Sequence, residues 1–156
     1  MMNKLLSRPW INSSTAVFLL RLALAIVFFA HGSQKMLGWF GGNGFAATTG
    51  FFVSSGIPTP LAWAAIFAEF FGSILLLAGF FTRLGAFAVA TNMAVAIGKV
   101  HLSKGFFNPA GFEFPLTLLF AAVIVFLYGP GRYSIDAAIA HPARDAARTE
   151  VHRHAA

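Results

Sequence analysis

The sequence predicts an all-α integral membrane protein, a bundle of four transmembrane helices with both termini in the cytoplasm. Three observations lead to this fold class. Of the 156 residues, 58% are hydrophobic and only 10% are charged, whereas soluble domains carry about 25% charged residues. The hydrophobic residues are concentrated in four long runs, which glycine- and proline-containing turns separate. The basic residues are divided unequally between the two ends of these runs, a pattern typical of membrane proteins.

The four runs are the predicted spans, and we place them at about residues 15–37, 61–81, 84–101 and 113–129. Asn12, Ser13 and Ser14 offer N-caps before the first run. Before the second run, Thr59 can act as the cap and Pro60 can occupy the first helical position. A helix needs ~20 residues to cross the bilayer, so the short fourth run requires flanking residues or a locally thin membrane.

The distribution of Lys and Arg sets the predicted orientation. With both termini inside, the outer side keeps only Lys35, Lys99 and Lys104, and the inner side collects the other eight of the 11 basic residues. This imbalance favours the N-in, C-in topology. Because no small-x-small cleavage pattern follows the first run, we interpret that run as a retained span that also serves as the export signal.

The segments outside the spans have predictions of their own. Residues 38–56 are rich in aromatic residues and contain no Lys, Arg, Asp or Glu, which is typical of a membrane interface, and we expect a short interfacial helix near residues 45–54. Residues 134–140 are predicted to form a short helix along the inner surface. Residues 1–14 are assigned to a cytoplasmic N-terminus, and residues 141–156 to a basic, polar, disordered cytoplasmic tail.

The composition excludes several kinds of function. Because the chain has no cysteine, it cannot itself supply disulfides, thiolate zinc ligands or cysteine ligands for iron–sulfur clusters. Its net charge of +6 comes mostly from basic residues that flank apolar runs, where they meet anionic headgroups. The predicted partner of this charge is therefore the lipid bilayer, and we expect no binding of nucleic acid.

A group of polar side chains lies within or at the ends of the apolar runs. Such groups are costly in lipid, so each is by default a hypothesis of a functional site. Under the predicted topology five of them fall toward the outer side of the bundle, where we predict a buried polar site: Glu69, His31, Lys35, His101 and Glu113. Arg21, in the inner half, and Asn92, in the middle of the third span, are secondary candidates.

Helix geometry makes Glu69 the centre of this predicted site. Glu69 lies about eight residues (~12 Å) from the outer end of its helix, and His31 lies four residues (~6 Å) deeper than Lys35. We therefore expect Glu69 to meet His31 or Lys35. Arg21 lies too far inward to reach it. Small residues that allow close approach of neighbouring helices flank Glu69 at helical spacing: Ala62, Ala65, Gly72 and Ser73.

Each of these residues also has a purely structural interpretation. Lys35 could extend along its helix to reach the headgroups, and Arg21 could act only as a determinant of topology. Glu113 could be a charge favoured by a helix N-terminus, and His101 could be an ordinary interface residue. Glu69 is harder to explain in this way, because a carboxyl group at that depth must be paired or neutral. A structural ion pair is its alternative role.

The chemistry of the predicted site favours proton transfer over metal binding. Paired carboxylate and imidazole groups could carry protons for a quinone head group. His31 and His101 could in principle ligate a haem or a metal ion, but two histidines without a further motif favour neither. We therefore predict no metal site. The chain has no nucleotide-binding loop, nucleophile elbow or zinc-protease motif.

Five groups of short motifs follow one another along the chain. They are Arg21 with HGSQK (31–35); GIP (56–58) with AEFFG (68–72) and LAGFFTR (77–83); KVH (99–101); GFEFP (111–115); and GPGRYSID (129–136). In this order, and with matching spans, residues 14–139 resemble the DoxX family of small four-helix bacterial inner-membrane proteins. The resemblance implies a link to membrane oxidoreductase systems, including quinone-linked thiosulfate oxidation and responses to quinone or oxidative stress. It names no substrate, because no activity is established for most members.

The leading hypothesis is a subunit or scaffold of a quinone-linked oxidoreductase or oxidative-stress system in the bacterial inner membrane. Glu69, His31 and Lys35 would form its site, with His101 and Glu113 at the mouth. Quinone is the candidate cofactor, and haem is not favoured. A redox-enzyme subunit and a second copy of the chain are candidate partners. The sequence leaves open whether the protein is an enzyme, and two alternatives stand: a small-molecule carrier or exporter, and a structural membrane partner without chemistry of its own.

Overall fold

The computed structural model describes residues 10–107, 109 and 111–140. Within these residues every regular element is helical, which confirms the predicted all-α class. The main helices are α1 (Ser13–Met36), α2 (Gly44–Ser54), α3 (Thr59–Ala78), α4 (Thr82–Ala96) and α5 (Glu113–Tyr128). A further helical segment occupies residues 135–140. Residues 1–9 and the predicted tail at 141–156 lie outside the described residues.

Three helical stretches are long and apolar enough to cross a membrane: α1, α3 and the stretch from α4 through Lys104. They contain 24, 20 and 23 residues. α5 is also apolar but has 16 residues, which corresponds to ~24 Å and is less than the ~30 Å of the hydrocarbon core. Three of the four predicted spans therefore have the length of a membrane crossing, and the fourth stays a prediction.

Large apolar side chains cover the outside of the bundle. Ile26, Phe87 and Phe120, on three different helices, have 60%, 54% and 61% of their surface exposed. Soluble monomers rarely expose contiguous apolar surface on this scale. These faces are suited to contact with acyl chains, where helices satisfy their own backbone hydrogen bonds.

The core lies between α1, α3, α4 and α5. α3 packs against α1 and α4, and α5 packs against α4 and α1, so the four helices form a closed ring. Small residues such as Ala86 and Ala122 are completely buried beside Phe28 and Leu24. α2 packs on the outside of this ring, against α1 and α3, at the position where the sequence predicts a short helix.

Local sequence explains several helix ends. The Asn12 side-chain oxygen accepts a hydrogen bond of 2.9 Å from the Thr15 N–H, as expected of an N-cap. α3 begins one residue earlier than the proline pattern predicts, because Pro58 is its N-cap and Pro60 lies within the first turn. Gly79 ends the same helix with φ at +64°, a left-handed conformation that costs glycine little.

The third span becomes irregular near His101. α4 continues as a π-helical turn (Ile97–His101) and then as a 3-10 turn (Leu102–Lys104). A π-helical turn rotates the residues that follow it, so His101 leaves the register set by Asn92.

Candidate functional site

Glu69 lies inside the bundle, with 5% of its surface exposed. Its Oε2 forms an ion pair with the Lys35 ammonium of α1. Its Oε1 accepts a hydrogen bond of 2.8 Å from the Asn92 amide of α4. Asn92 also donates to the Ala65 carbonyl, at 3.4 Å, one turn before Glu69. One carboxylate of α3 therefore connects three helices, and we call Lys35, Glu69 and Asn92 the carboxylate cluster.

A glycine contact brings Lys35 within reach of Glu69. A Cβ added to Gly32 would stand 2.7 Å from the Phe70 Cα and N and 3.0 Å from the Glu69 carbonyl carbon. The backbones of α1 and α3 therefore touch at this level. Lys35 lies one turn after Gly32 on the same side of α1, so its side chain crosses the contact to reach Glu69.

A second close contact positions Asn92. A Cβ on Gly72 would stand 2.9 Å from the Val89 Cγ1 and 3.4 Å from the Gly85 carbonyl oxygen. α3 and α4 run in opposite directions, so Glu69, one turn before Gly72, lies level with Asn92, one turn after Val89. Small residues at this contact let the short Asn92 side chain reach across.

Lys35 is the accessible member of the cluster. Its side chain is 27% exposed, against 6% for the Glu69 side chain. His31 lies four residues before Lys35 and is exposed. Gly32 faces α3. Around the axis of α1, Lys35 lies about 60° from Gly32 and His31 lies about 100° from it in the same direction, so Lys35 is at the edge of the helix contact and His31 is outside it. His31 was expected to be buried, but in the structure its side chain lies on the exterior of the helix bundle, one turn of α1 from Lys35.

His101 and Glu113 are not among the partners of Glu69 just described. His101 ends the π-helical turn and Glu113 begins α5, and both are half-buried. Neither is without an interaction partner of its own. Glu113 lines an open cavity of about 390 Å³ with Phe106, Phe114 and Thr117. The structure thus brings together Lys35, Glu69 and Asn92 from the predicted set, and leaves His101 and Glu113 outside that cluster.

Arg21 belongs to a different polar network, at the end of the bundle where α3 and α5 finish. It is 1% exposed. Its guanidinium donates to the Pro130 carbonyl at 2.7 Å and to the Tyr133 carbonyl, and lies 5.6 Å from the centre of the Phe18 ring. Arg21 therefore fixes the chain after α5 against α1, and it does not pair with Glu69.

Asp136 completes this second network, and the sequence reasoning did not select it. Its two carboxylate oxygens accept hydrogen bonds from the Phe81 and Thr82 N–H groups, at 2.8 and 2.9 Å, at the start of α4. Its own N–H donates to the Gly79 carbonyl at 2.9 Å. The partners of Asp136 lie more than 50 residues away along the chain, so no local pattern marks the contact. The sequence signal that could have identified Asp136 is its position at the end of the last motif.

The described residues contain no group of three or more His, Asp or Glu side chains that could hold a metal ion. The carboxylate cluster offers other chemistry. A Lys ammonium has three N–H donors, and a carboxylate held by an ammonium and an amide in an apolar surrounding interacts with both more strongly than it would in water. The cluster is therefore suited to hydrogen bonding with a polar head group.

Comparison with known proteins assigns the chain to a family. The sequence profile of DoxX matches residues 16–102, which include Arg21, all three residues of the carboxylate cluster and His101. The chain belongs to the DoxX family. No solved structure matches it.

Two of the relatives that this DoxX protein resembles have descriptive names. It is 34% identical to a Bacillus subtilis protein named "Putative oxidoreductase CatD" over 100 residues, which cover 64% of this chain and 70% of the relative. It is 29% identical to the Escherichia coli "Inner membrane protein YqjF" over 122 residues, 77% of this chain and 88% of the relative. An "Uncharacterized protein" of Haemophilus influenzae is 34% identical over 127 residues, 75% of this chain and 85% of the relative. This DoxX protein is therefore a membrane protein whose relatives include an inner-membrane protein.

Proposed function

We propose that this protein is a membrane subunit or scaffold of a quinone-linked oxidoreductase or oxidative-stress system in the bacterial inner membrane. Membership of the DoxX family and the oxidoreductase name of one relative support the redox assignment. The observation that carries the proposal is the Lys35–Glu69 ion pair, in which the Glu69 side chain is buried and the Lys35 side chain is partly exposed.

The proposed topology has four spans with both termini in the cytoplasm. α5 packs beside α1 and α4 in the ring, which supports a membrane crossing alongside these two helices. Its 16 residues would require flanking residues or local thinning of the bilayer. The orientation follows from the eight basic residues on the inner side against three on the outer side.

The proposed ligand is a membrane-soluble quinone, which would supply two-electron redox chemistry. Lys35 and His31 lie on one side of α1, and both are accessible from outside the bundle. Because the outer surface faces lipid, a head group dissolved in the bilayer could reach them without passing through the core. The Lys35 Nζ would donate a hydrogen bond to a carbonyl oxygen of that head group, and Glu69 Oε2 would hold the ammonium in place.

A purely structural role is the second candidate, and one observation favours it. Glu69 bonds to α1 through Lys35 and to α4 through Asn92, so the cluster would hold three helices together even without a ligand. This role predicts that variants of the cluster lose stability or assembly and nothing else. The two candidates therefore differ in ligand binding.

The test is the quinone content of the protein purified in a mild detergent, measured by solvent extraction and chromatography. The variants are Glu69→Gln and Lys35→Met, and Lys99→Met is the matched control, because Lys99 is an exposed lysine outside the cluster. We expect bound quinone in the wild type and the control and ~tenfold less in the two cluster variants, since a charged hydrogen bond contributes ~1.5–3 kcal/mol.

Three outcomes would contradict the quinone proposal. The first is equal quinone content in all four proteins, and the second is no quinone in the wild type; either would leave the structural role. The third is a haem absorption band in the purified protein, which would assign a different cofactor. A dehydrogenase subunit that co-purifies with the wild type would support the proposed place in a redox system.

A further inference from the structure

An open cavity of about 390 Å³ lies at the end of the bundle where α1 begins and α5 finishes. Its lining includes Ser14 of α1, Tyr128 of α5, Arg132 of the following turn and Asp136. Ligand pockets usually have volumes of ~300–1,000 Å³, so the space is large enough for a small polar group. None of these residues belongs to the carboxylate cluster.

The helical segment at residues 135–140 indicates where this cavity lies relative to the membrane. Ile135 and Ile139 are spaced by one turn, share a face and are 45% and 62% exposed. Ala137 and Ala140, on the other side of the segment, line the cavity. A segment with one apolar face turned outward lies at a membrane surface. The exposed Tyr128 is also typical of the headgroup level.

The charge around the cavity is mainly basic. Arg132 lines the cavity and is exposed. The Arg83 guanidinium lies against Gly129, with Nε and Nη2 each 3.3 Å from the position of an added Cβ. The acidic residue of the lining, Asp136, already accepts hydrogen bonds from two backbone N–H groups of the α3–α4 connection. Arg132 is therefore the charged side chain available to a ligand.

We infer that this cavity binds the phosphate of an anionic phospholipid headgroup, with Arg132 as its main ligand and Arg83 beside it. Guanidinium groups match phosphate oxygens in geometry and charge. Basic pockets between helix ends are known sites for anionic headgroups, and the hydroxyls of Ser14 and Tyr128 add hydrogen-bond donors to the lining. The inference requires neither the redox function nor a particular leaflet.

The experiment is native mass spectrometry of the detergent-purified protein, titrated with phosphatidylglycerol or with phosphatidylcholine of the same chain length. The wild type should prefer phosphatidylglycerol. Arg132→Gln should lower that affinity ~tenfold, as expected for loss of a charged hydrogen bond. Arg83→Gln should lower it less, and Arg132→Lys should retain part of it. Lys104→Gln is the matched control, because Lys104 is exposed on the 3-10 turn after α4, outside the cavity lining, and it should bind like the wild type.

Three results would overturn the inference. The wild type could bind both lipids equally, or Arg132→Gln could bind phosphatidylglycerol as well as the wild type. Excess inorganic phosphate could also displace the lipid completely, which would identify free phosphate as the ligand. Thermal melting of each variant in the same detergent checks that an altered affinity does not come from unfolding.

Discussion

Gly32 of α1 lies directly against the backbone of Phe70 in α3, where an added Cβ would stand 2.7 Å from the Phe70 Cα. The neighbouring atoms belong to a helix backbone, which cannot move aside as the end of a flexible side chain can. Glycine at residue 32 therefore sets the separation of the two helices. This separation places Lys35 opposite Glu69, so the ion pair depends on a residue that carries no polar side chain.

The first prediction is that Gly32→Ala destabilises the protein. Overpacking of a tight contact usually costs ~1–3 kcal/mol, and here the extra methyl group would force α1 and α3 apart. The melting temperature in detergent should fall clearly. Gly50→Ala in α2 is the matched control, because a Cβ at residue 50 meets nothing within 4 Å and alanine favours helix. A Gly32→Ala protein as stable as that control would contradict the packing account.

The second prediction concerns Asp136, whose carboxylate caps the start of α4. Asp136→Ala removes the acceptors of the Phe81 and Thr82 N–H groups, and loss of such a cap costs ~1–2 kcal/mol. Asp136→Asn keeps one side-chain oxygen as an acceptor and should fall between alanine and the wild type. Thermal or denaturant unfolding in detergent gives this order. If alanine and asparagine were both neutral, the cap would contribute nothing.

The third prediction is the orientation of the chain in the membrane. Because the natural chain has no cysteine, a single introduced cysteine reports its own position without background labelling. In intact spheroplasts, a membrane-impermeant maleimide should label Lys104→Cys, and it should label Arg132→Cys only after the membrane is opened. Labelling in the reverse order would overturn the N-in, C-in topology. Equal labelling of both residues in intact spheroplasts would contradict an odd number of crossings between them.

The elements of the fold could be predicted because each depends on local sequence. Apolar runs, the Asn12 cap and the prolines at the start of α3 mark their own helices, and the aromatic stretch after α1 contains α2. The pairing of Glu69 with a residue of α1 also followed from depth alone. The fourth crossing stays a prediction, because α5 is shorter than the ~30 Å hydrocarbon core.

The remaining details depend on how the helices turn against one another. Asn92 was predicted only as a secondary candidate, because its partner is set by the contact of Gly72 with α4. His31 was expected to be buried, but the Gly32 contact turns it outward. Asp136 was missed, because its partners at the start of α4 are distant in sequence. Such contacts are properties of helix pairs and not of any one helix.

The most direct test of the central claim compares Glu69→Gln, Lys35→Met and the double variant with both substitutions. Loss of one partner from a buried ion pair costs ~3–5 kcal/mol, because the other charge is left unpaired, whereas loss of both costs much less. The double variant should therefore regain much of the stability that each single variant loses. If the pair binds a head group, the double variant should still lack bound quinone.

The measurement is bound quinone per protein in the double variant, made on samples whose melting temperature is recorded in parallel. Our account predicts a melting temperature near that of the wild type together with ~tenfold less quinone. Recovery of wild-type quinone content along with stability would contradict it, because the Lys35–Glu69 pair would then serve the architecture of the bundle alone.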